Sequence, residues 1–524
     1  MMKKRTKKRM EDNRIYLLIL IVVLILGAFL SLYFFYGPSW INGSDNYIYA
    51  SEAHQLVTKG NIYFGGLEDN VKLLLFFGNA IFIKLLGYNL FSLSLFGVSC
   101  FLGTIIVIYL IGKNLYNLKA GLISAFFYAI FPIVVINSAN VGDDVPMTFF
   151  VSLAVLFAVL AIKKDKTSKP YYILAGFVSA ISYIIVPEGA IGAVFVLFIF
   201  GMDIVCNLVR KKKINKSIIG IALGIAGIVI AVAFICLLGF IENGHLLSIF
   251  STVNSNLTPW QTTPGESAYL NWLFPTSNLI NNIAKSPFFF NQMAFGYFGF
   301  AFVISASYLL ILRDKRIMIP LLWFLITFLY LGYGSQSITR YIPVLILLRF
   351  TIIFCPAIAL MIGFGFTRII EAVKKRHKVI KIATYVIVAG SILFFFICSF
   401  LSIRYINYSQ RNSVSALVQT GNYINHLGLN VTVFGPVDLP WVTYTNYKAS
   451  LLPLSYIRLE SNCNVTKIFV LEPGDYMVGE LNGSYSSCGF VMVFKPHKIE
   501  WLANYTAFNN DGMNISDIAV YLYR

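Results

Sequence analysis

The sequence predicts an all-α polytopic membrane domain, with about eleven transmembrane helices, followed by a small C-terminal α/β domain. Of the 524 residues, 58% are hydrophobic and only 12% are charged, whereas about a quarter of an ordinary soluble domain is charged. Apolar runs long enough to cross a bilayer recur up to residue 402. Beyond that point, short β-rich runs alternate with polar stretches, a pattern typical of a layered sheet with helices.

The basic residues indicate how the chain is oriented. The formal net charge is +18, and the lysines and arginines concentrate in short clusters between apolar runs. This is how the preference for positive cytoplasmic loops appears in a sequence. The charge is therefore attributed to anionic lipid headgroups, and the sequence predicts membrane lipids, and no nucleic acid, as partners.

The first segment is a basic, cytoplasmic N-terminus, residues 1–14, followed by the apolar run Ile15–Tyr36. A cleaved signal peptide is the alternative for this run. The run is long, however, and lacks a small-residue cleavage site, so a retained first span with a cytoplasmic N-terminus is predicted.

The apolar run Val71–Leu86 is predicted to lie in the membrane interface. It is short, carries Lys72 and Lys84, and is interrupted at Gly78-Asn79. If it crossed the membrane, the later basic clusters would face outside. If it lies in the interface, every cluster faces the cytoplasm.

The remaining spans complete a membrane domain over 15–402. Because their total is odd, the C-terminal tail lies outside, and the chain is a multi-pass protein of the plasma membrane. Outer loop 37–88 precedes the second span, and outer loop 241–290 is either a lid over lipid or acceptor, or an aromatic anchor at the interface. The spans after the first are predicted at 89–112, 118–139, 144–162, 171–187, 189–209, 217–240, 291–312, 317–334, 344–368 and 381–402.

The tail, residues 403–524, is predicted to be an extracytoplasmic α/β domain. Its four β-rich runs are 430–434, 467–471, 490–494 and 518–522. Outside a reducing cytosol, Cys463 and Cys488 are predicted to form a disulfide. Glycosylation sequons, which favour exposure on the outer face, begin at Asn407, Asn430, Asn464, Asn482, Asn504 and Asn514.

Carboxylates gather at the predicted outer surface although they are far apart in sequence. Such groups at span ends are costly unless they are paired, hydrated or metal-bound, which makes them functional candidates. For Asp144 a helix cap is the alternative, because Val-Pro146 follows it. His54 could line the same site or lie on a solvated face. The candidates are Asp45, Glu52, Glu68, Asp69, Asp143, Asp144 and Glu188.

Two arginines near an outer end are the predicted partners of an anionic ligand. Arg340 and Arg349 lie in an otherwise apolar region, and a fixed guanidinium is suited to gripping phosphate through two hydrogen bonds. Snorkelling of the side chain to lipid headgroups is the alternative. The sequence contains no phosphate-binding P-loop, no H-E-x-x-H zinc motif and no G-x-S-x-G nucleophile motif.

Three stretches resemble GT-C glycosyltransferases, in the branch of the protein O-mannosyltransferases and the lipid A aminoarabinose transferases. Asp45-Asn-Tyr-Ile-Tyr49-Ala-Ser-Glu-Ala53 resembles the first-loop motif of this branch. Asp143-Asp-Val-Pro146 resembles its second acidic motif, and Arg349 through Pro356-Ala-Ile-Ala-Leu360 resembles its late Arg-Tyr…Pro-Ala-Leu-Ala-Leu span. The resemblance extends in order from residue 15 to about residue 370.

The chain departs from the family pattern at three places. Asn46 stands where the family has a second acid, Asn70-Val-Lys72 replaces a Pro-rich stretch, and Glu188 replaces a lysine. The Trp-Trp-Asp signature of oligosaccharyltransferase catalytic subunits is absent, which argues against transfer of a whole glycan to asparagine. The sequence does not name the sugar, the acceptor or the metal.

The resemblance implies inverting transfer of a sugar from a polyprenyl-phosphate donor to a glycan, lipid or protein acceptor. Asp45 would be the general base, and Asp144 would position it or share a divalent cation, Mg²⁺ or Mn²⁺, with it. Arg349 and Arg340 would bind the donor phosphate. The supporting residues would be Tyr49, Glu68, Asp69, Asp143, Glu188 and His54.

Two functions without catalysis are the alternatives. A transporter or flippase for lipid-linked glycans should show internal repeats and polar residues near the membrane midplane. The sequence has no clear repeat, and its acidic residues lie at one surface. A scaffold for glycan assembly would use the outer domain for binding. Convergence of Asp45, Asp144 and Arg349 on one cavity would favour the enzyme.

Overall fold

The structure is a computed structural model, and helices dominate it. The structure describes segments from the N-terminal helices to the C-terminal strands, with gaps between them. The described residues are 2–33, 45–60, 72–163, 168–209, 211, 214–243, 293–335, 344, 348–374, 376–426, 433–434, 449–450, 467–471, 490–494 and 519–523.

Two series of α-helices form the bundle. The first series is α1 (Met2–Tyr33), α2 (Asp45–Lys59), α3 (Leu73–Leu86), α4 (Leu90–Leu115), α5 (Leu118–Ala129), α6 (Pro132–Ser138) and α7 (Asp144–Lys163). The second is α8 (Lys169–Ile181), α9 (Ile191–Val209), α10 (Asn215–Asn243), α11 (Met293–Ile311), α12 (Met318–Tyr333), α13 (Cys355–Val373) and α14 (Lys378–His426). Short 3-10 helices cover Ser182–Ile184, Pro187–Ala190, Lys315–Ile317 and Leu348–Phe354.

The described residues contain eight helices that are long and apolar enough to cross a membrane, or nine if a bent pair is one span. A multi-pass membrane protein is therefore confirmed, while the total of eleven spans stays a prediction. The predicted span 171–187 is broken, because α8 ends at Ile181 and two 3-10 helices follow. Val186 is extended ahead of Pro187, as expected for a residue that precedes proline. Of the predicted span 291–312, Tyr297–Ile311 is a shorter apolar helix.

The bent pair is α5 and α6, whose axes differ by 64°. Phe131 is extended and Pro132 opens α6, because the proline ring disfavours a helical conformation in the residue before it. The predicted span 118–139 covers both helices of this pair. The bend is followed by residues 139–144, which are all buried, so that a polar turn lies inside the bundle.

Helix α13 lies at the centre of the bundle. Of its most apolar window, 94% is buried inside the protein. Gly363 lets it approach α5, since a Cβ atom there would lie 2.1 Å from Ser124 Oγ. At the end of α13 far from Arg349, Glu371 accepts hydrogen bonds from Tyr116 and Asn117. These contacts fix α13 at its middle and near its C-terminal end.

Helices α8 and α10 pack backbone against backbone. A Cβ atom on Gly176 would lie 2.0 Å from the Gly224 carbonyl oxygen, and one on Gly227 would lie 2.1 Å from that of Ile173. We expect Gly176→Ala to force the helices apart and to destabilise the protein by about 2 kcal/mol. Thermal unfolding in detergent measures the loss.

Gly390→Ala is the matched control, because no atom lies within 4 Å of a Cβ at Gly390. Alanine favours the helix over glycine by up to about 1 kcal/mol, so this control should be neutral or stabilising. Equal unfolding temperatures for the two variants would contradict the close packing of α8 on α10.

Five short strands form one sheet in the tail. They are β1 (Val433–Phe434), β2 (Ala449–Ser450), β3 (Lys467–Leu471), β4 (Phe490–Phe494) and β5 (Ala519–Tyr523). Their order is β2-β1-β3-β5-β4, with β1 parallel to β2 and β3, and β5 antiparallel to β3 and β4. Each of the four predicted β-rich runs overlaps one strand, and β2 was not predicted.

The boundary predicted at residue 402 falls inside the continuous helix α14, which runs to His426. The placement of the tail outside the membrane remains a prediction. Asn407 lies on α14. The other five sequons, Cys463 and Cys488 are outside the described residues.

Candidate active site

The first-loop helix α2 is held against α3 by a small apolar cluster. Tyr49 and Ala53 of α2 are fully buried, and they pack with residues of α3 and with Val141 of the polar turn. The Tyr49 ring lies 6.1 Å from that of Phe76. Asp45 is the first residue of α2, and its side chain is outside the described part of the chain. The N-terminus of α2 therefore lies beside the turn that carries Asp143.

Asp143 receives a cation and a hydroxyl from this first loop. Lys72 Nζ lies 3.0 Å from Asp143 Oδ2, and both side chains are largely buried. The Tyr49 hydroxyl donates to the same oxygen at 3.4 Å, and Lys72 donates to the Tyr49 hydroxyl. The ammonium also lies 4.3 Å from the centre of the Tyr49 ring. Two side chains of the first loop thus share the Asp143 carboxylate.

Asp144 pairs with the second cation. Arg349 Nε lies 3.6 Å from Asp144 Oδ2, and the two side chains are 13% and 4% exposed. Asp144 is the first residue of α7, and the carbonyl of Asp143 accepts the first helical hydrogen bond, from Met147. The positive end of the helix dipole therefore faces both carboxylates. Helix initiation and ion pairing are compatible at Asp144, so the two predicted roles do not exclude each other.

Opposing forces act on the pKa of Asp143. Burial favours the neutral acid, whereas Lys72 and then Arg349 favour the carboxylate, and the cations prevail, so the pKa of Asp143 lies below its ordinary value. The folded protein therefore gains stability from this group above the pKa of the unfolded chain. That stability is lost as the pH falls through the folded pKa.

We expect Lys72→Met to destabilise the protein at pH 7 by about 3 kcal/mol, because it leaves a buried carboxylate without its nearest cation. Removing Lys72 also raises the folded pKa of Asp143. The difference in stability between the wild type and the variant should therefore shrink as the pH falls through the raised pKa of Asp143 in the variant, and it should vanish once the pH is below the lowered pKa of Asp143 in the wild type. Thermal unfolding of both proteins between pH 7 and pH 3 measures this difference in stability.

Lys84→Met is the matched control, since Lys84 is an exposed lysine on the same helix. It should unfold like the wild type at every pH. A Lys72→Met deficit that stays constant down to pH 3 would show that Lys72 does not act through Asp143.

The structure places Glu188 near this cluster but outside ion-pair contact. Its Oε2 atom is buried and accepts no hydrogen bond within the described part of the chain, and no described cation lies within 4 Å of its carboxylate. His54 lies on α2 and stacks on Tyr88 with ring centres 4.2 Å apart. Burial lowers the pKa of His54. Arg340, Glu68 and Asp69 are outside the described residues.

Lys72 is the residue that sequence reasoning missed. In the sequence, Lys72 argues only against a membrane span at Val71–Leu86. Its position gave a usable signal, because a cation that immediately precedes a short apolar helix lies at the membrane surface where the carboxylates were expected. The sequence also gave no indication that Tyr49 would join Lys72 and Asp143.

Among the described residues, no group of three or more His, Cys, Asp or Glu side chains converges to hold a metal. The ligands proposed for a divalent cation were Asp45 and Asp144. Asp144 Oδ2 faces Arg349 at 3.6 Å without accepting a hydrogen bond among the described residues, and a carboxylate oxygen is the ligand type that Mg²⁺ or Mn²⁺ prefers. The cation itself stays a prediction.

Comparison with known proteins identifies the fold. A family model of dolichyl-phosphate-mannose-protein mannosyltransferases matches residues 73–236. The crystal structure of ArnT from Cupriavidus metallidurans in the apo state superposes with a TM-score of 0.62 at 10% sequence identity, covering 98% of both chains. The same enzyme bound to undecaprenyl phosphate gives a TM-score of 0.60 at 10% identity and the same coverage. A search of curated proteins gave no significant match.

The oligosaccharyltransferase of Archaeoglobus fulgidus in its apo form gives a TM-score of 0.49 at 12% identity, covering 84% of this chain. This chain spans 65% of the length of that protein. At these identities the structural matches show the fold alone. The family model and the ArnT superpositions together confirm the resemblance to GT-C glycosyltransferases of the mannosyltransferase and ArnT branch.

Proposed function

We propose that this chain is a membrane glycosyltransferase that moves a sugar from a polyprenyl-phosphate donor to an acceptor at the outer membrane surface. One observation carries the proposal: two adjacent, buried aspartates each hold a cation brought from a distant segment, Lys72 on Asp143 and Arg349 on Asp144. Structural networks of ion pairs also occur in membrane proteins, but charges buried at a span end are more often functional. The undecaprenyl phosphate bound to ArnT supports a donor of this class.

The two cations are suited to binding the donor phosphate. Each side chain is 13% exposed, so each is fixed by its carboxylate and still partly accessible. Cations that are positioned before the reaction stabilise the negative charge that develops on the leaving phosphate. Arg340 is proposed as a further phosphate ligand, on the sequence argument alone.

The proposed transfer is a single displacement with inversion. The acceptor hydroxyl oxygen attacks the anomeric carbon, the bond from that carbon to the phosphate oxygen breaks, and polyprenyl phosphate leaves with the bonding electrons. Asp45 accepts the hydroxyl proton as general base. Asp45 is four residues before Tyr49, so it begins the helix that is docked on Asp143. Asp144 positions this base.

A divalent cation, if the reaction uses one, would be held by the carboxylates of Asp45 and Asp144. When bound it would add positive charge beside the leaving phosphate. Glu68 and Asp69 are proposed to support this side of the site. The six sequons and the Cys463–Cys488 disulfide of the tail belong to the same proposal, in which the tail lies outside and the acceptor is a glycan, lipid or protein.

The test is turnover of a defined donor. The full chain in nanodiscs is incubated with the undecaprenyl phosphate esters of several single sugars and with lipid or glycan extracts as acceptors. Mass spectrometry then measures release of undecaprenyl phosphate and the mass added to the acceptor. Acceptor-dependent release supports the proposal, and its absence with every donor overturns it.

Transport of lipid-linked glycans is the second candidate, and the bent pair α5–α6 favours it, because broken helices build the substrate sites of many transporters. The same nanodisc samples do not report translocation, so proteoliposomes carrying a fluorescent polyprenyl-phosphate sugar are required. Protein-dependent movement between leaflets without any sugar transfer would favour the transporter.

A further inference from the structure

Helix α3, which begins directly after Lys72, is seated on α4 through a glycine. A Cβ atom on Gly78 would lie 2.4 Å from the Phe96 ring of α4, so the ring occupies the space that a side chain would need. Leu73, next to Lys72, is buried in a cluster with residues from the end of α8 and from α10. These two contacts along α3 fix the position from which the Lys72 side chain extends.

The polar turn that carries Asp143 is seated on the same helix at Gly97. A Cβ atom there would lie 2.4 Å from the Ser138 carbonyl oxygen and 3.0 Å from that of Asn140. Both neighbours are backbone atoms, so no side-chain rotation makes room for a larger residue. The Ser138 hydroxyl also lies 2.5 Å from the Ser31 hydroxyl, which ties the start of the turn to α1. The backbone ahead of Asp143 is therefore held directly on α4.

We infer that Phe96 and Gly97, which are adjacent on α4, are positioning residues that set where Lys72 and Asp143 stand relative to each other. The ammonium and the carboxylate are 3.0 Å apart, and both side chains are largely buried. Phe96 and Gly97 have no charged or hydrogen-bonding side-chain group, so they act only through this pair. The inference rests on the proposed function, in which Lys72 is one of the two cations that bind the donor phosphate.

The expected consequence of a displaced turn is a loss of rate that exceeds the loss of affinity. A Cβ atom at Gly97 must push the turn back by about 1 Å to reach ordinary van der Waals distance. A misplacement of this size can lower a rate about a hundredfold. Coulomb attraction between a cation and a phosphate varies only as the inverse of their distance, so the affinity for phosphate should change much less.

Gly97→Ala in the full chain in nanodiscs tests this difference. Turnover of the undecaprenyl phosphate ester that the wild type uses should fall at least about tenfold. The affinity for undecaprenyl phosphate, measured by isothermal titration, should stay within about threefold. Gly112→Ala is the matched control, because a Cβ there would lie 2.6 Å from the Gly121 Cα atom of α5. Gly112 is about 22 Å farther along α4, so this variant should lose stability and keep its turnover.

A rescue experiment tests the role of Phe96. The three heavy atoms nearest to a Cβ on Gly78 all belong to the Phe96 ring, so Gly78→Ala should also lower turnover. Adding Phe96→Leu removes ring atoms and should restore most of the turnover of Gly78→Ala. The same substitution should not restore Gly97→Ala, because the Cβ there meets carbonyl oxygens of the backbone.

The pH dependence of unfolding gives a measurement that needs no donor. Lys72 lowers the pKa of Asp143, so the pair stabilises the fold at pH 7 and this stabilisation is lost as the pH falls through the folded pKa. Weakening the pair raises the folded pKa. The deficit in unfolding temperature of Gly97→Ala should therefore shrink between pH 7 and pH 3, whereas that of Gly112→Ala should stay constant.

Equal turnover of Gly97→Ala and Gly112→Ala overturns the inference, and so does a Gly97→Ala deficit that does not change with pH. If Gly97→Ala does not fold, the Gly78 and Phe96 variants decide, and a double variant no more active than Gly78→Ala overturns the inference. The proposed function fails separately, if the wild type turns over no donor. The pH dependence of the Gly97→Ala deficit then still shows whether α4 sets the geometry of the ion pair.

Discussion

Asp45→Asn should reduce sugar transfer by at least about a hundredfold, the lower end of the contribution of a general base. The amide cannot take the proton of the acceptor hydroxyl, whereas the donor phosphate is bound by other residues. The turnover number should therefore fall while the affinity for undecaprenyl phosphate is preserved. Donor turnover and titration with undecaprenyl phosphate, both in nanodiscs, measure the two quantities.

Asp203→Asn is the control for this experiment. Asp203 is also an acidic residue on a helix of the bundle, where its Oδ2 accepts a hydrogen bond from Ser217. This variant should retain wild-type turnover. An Asp45→Asn protein with wild-type turnover on a donor that the wild type uses would exclude Asp45 as the base.

Arg349→Met should lose both stability and activity. It leaves Asp144 buried without its cation, which costs about 3–5 kcal/mol, and it removes a cation from the leaving phosphate, which costs about 10²–10³ in the turnover number. Adding Asp144→Asn to Arg349→Met should restore most of the stability, because the buried charge is then gone. It should not restore turnover. Thermal unfolding and donor turnover of the two single variants and the double variant complete the cycle.

Arg368→Met is the matched control, because Arg368 lies near the far end of α13 and is 38% exposed in a loose pair with Glu371. The Arg368→Met variant should keep wild-type stability and wild-type turnover. If the double variant recovers turnover together with stability, the role of Arg349 is structural and the phosphate contact is wrong.

Periodicity and charge placement predicted the helical membrane class and located most of the helices. Asp143, Asp144 and Arg349 were singled out because each lies where an apolar run meets a membrane surface. Such positions place the three side chains at one level of the membrane, and the ion pair between Asp144 and Arg349 is consistent with this placement. Which cation meets which carboxylate at that level depends on packing between distant helices, so the pairing of Lys72 with Asp143 was not predicted.

Two helix boundaries show a different limit. Pro132 signals a break, yet apolar residues continue on both sides, and hydropathy alone joins them into one span. At residue 402 the opposite occurs. Composition changes there from apolar to polar, while α14 continues to His426, because helical backbone geometry does not depend on which solvent surrounds the side chains. Hydropathy therefore did not locate the ends of these helices.

If Lys72 and Arg349 bind phosphate as proposed, the pairs Lys72–Asp143 and Arg349–Asp144 make that binding a counter-ion exchange. Each cation already has an anionic partner in the protein. An incoming phosphate therefore competes with a carboxylate for the cation, instead of binding a cation that has no counter-ion. The net affinity for phosphate is then the small difference between the attraction of the cations for phosphate and their attraction for the carboxylates. Polyprenyl phosphate, the leaving group, carries more negative charge than the donor ester and would otherwise be retained by two free cations. When Asp143 and Asp144 pair again with Lys72 and Arg349, the affinity for the leaving phosphate falls, which promotes its release and therefore turnover.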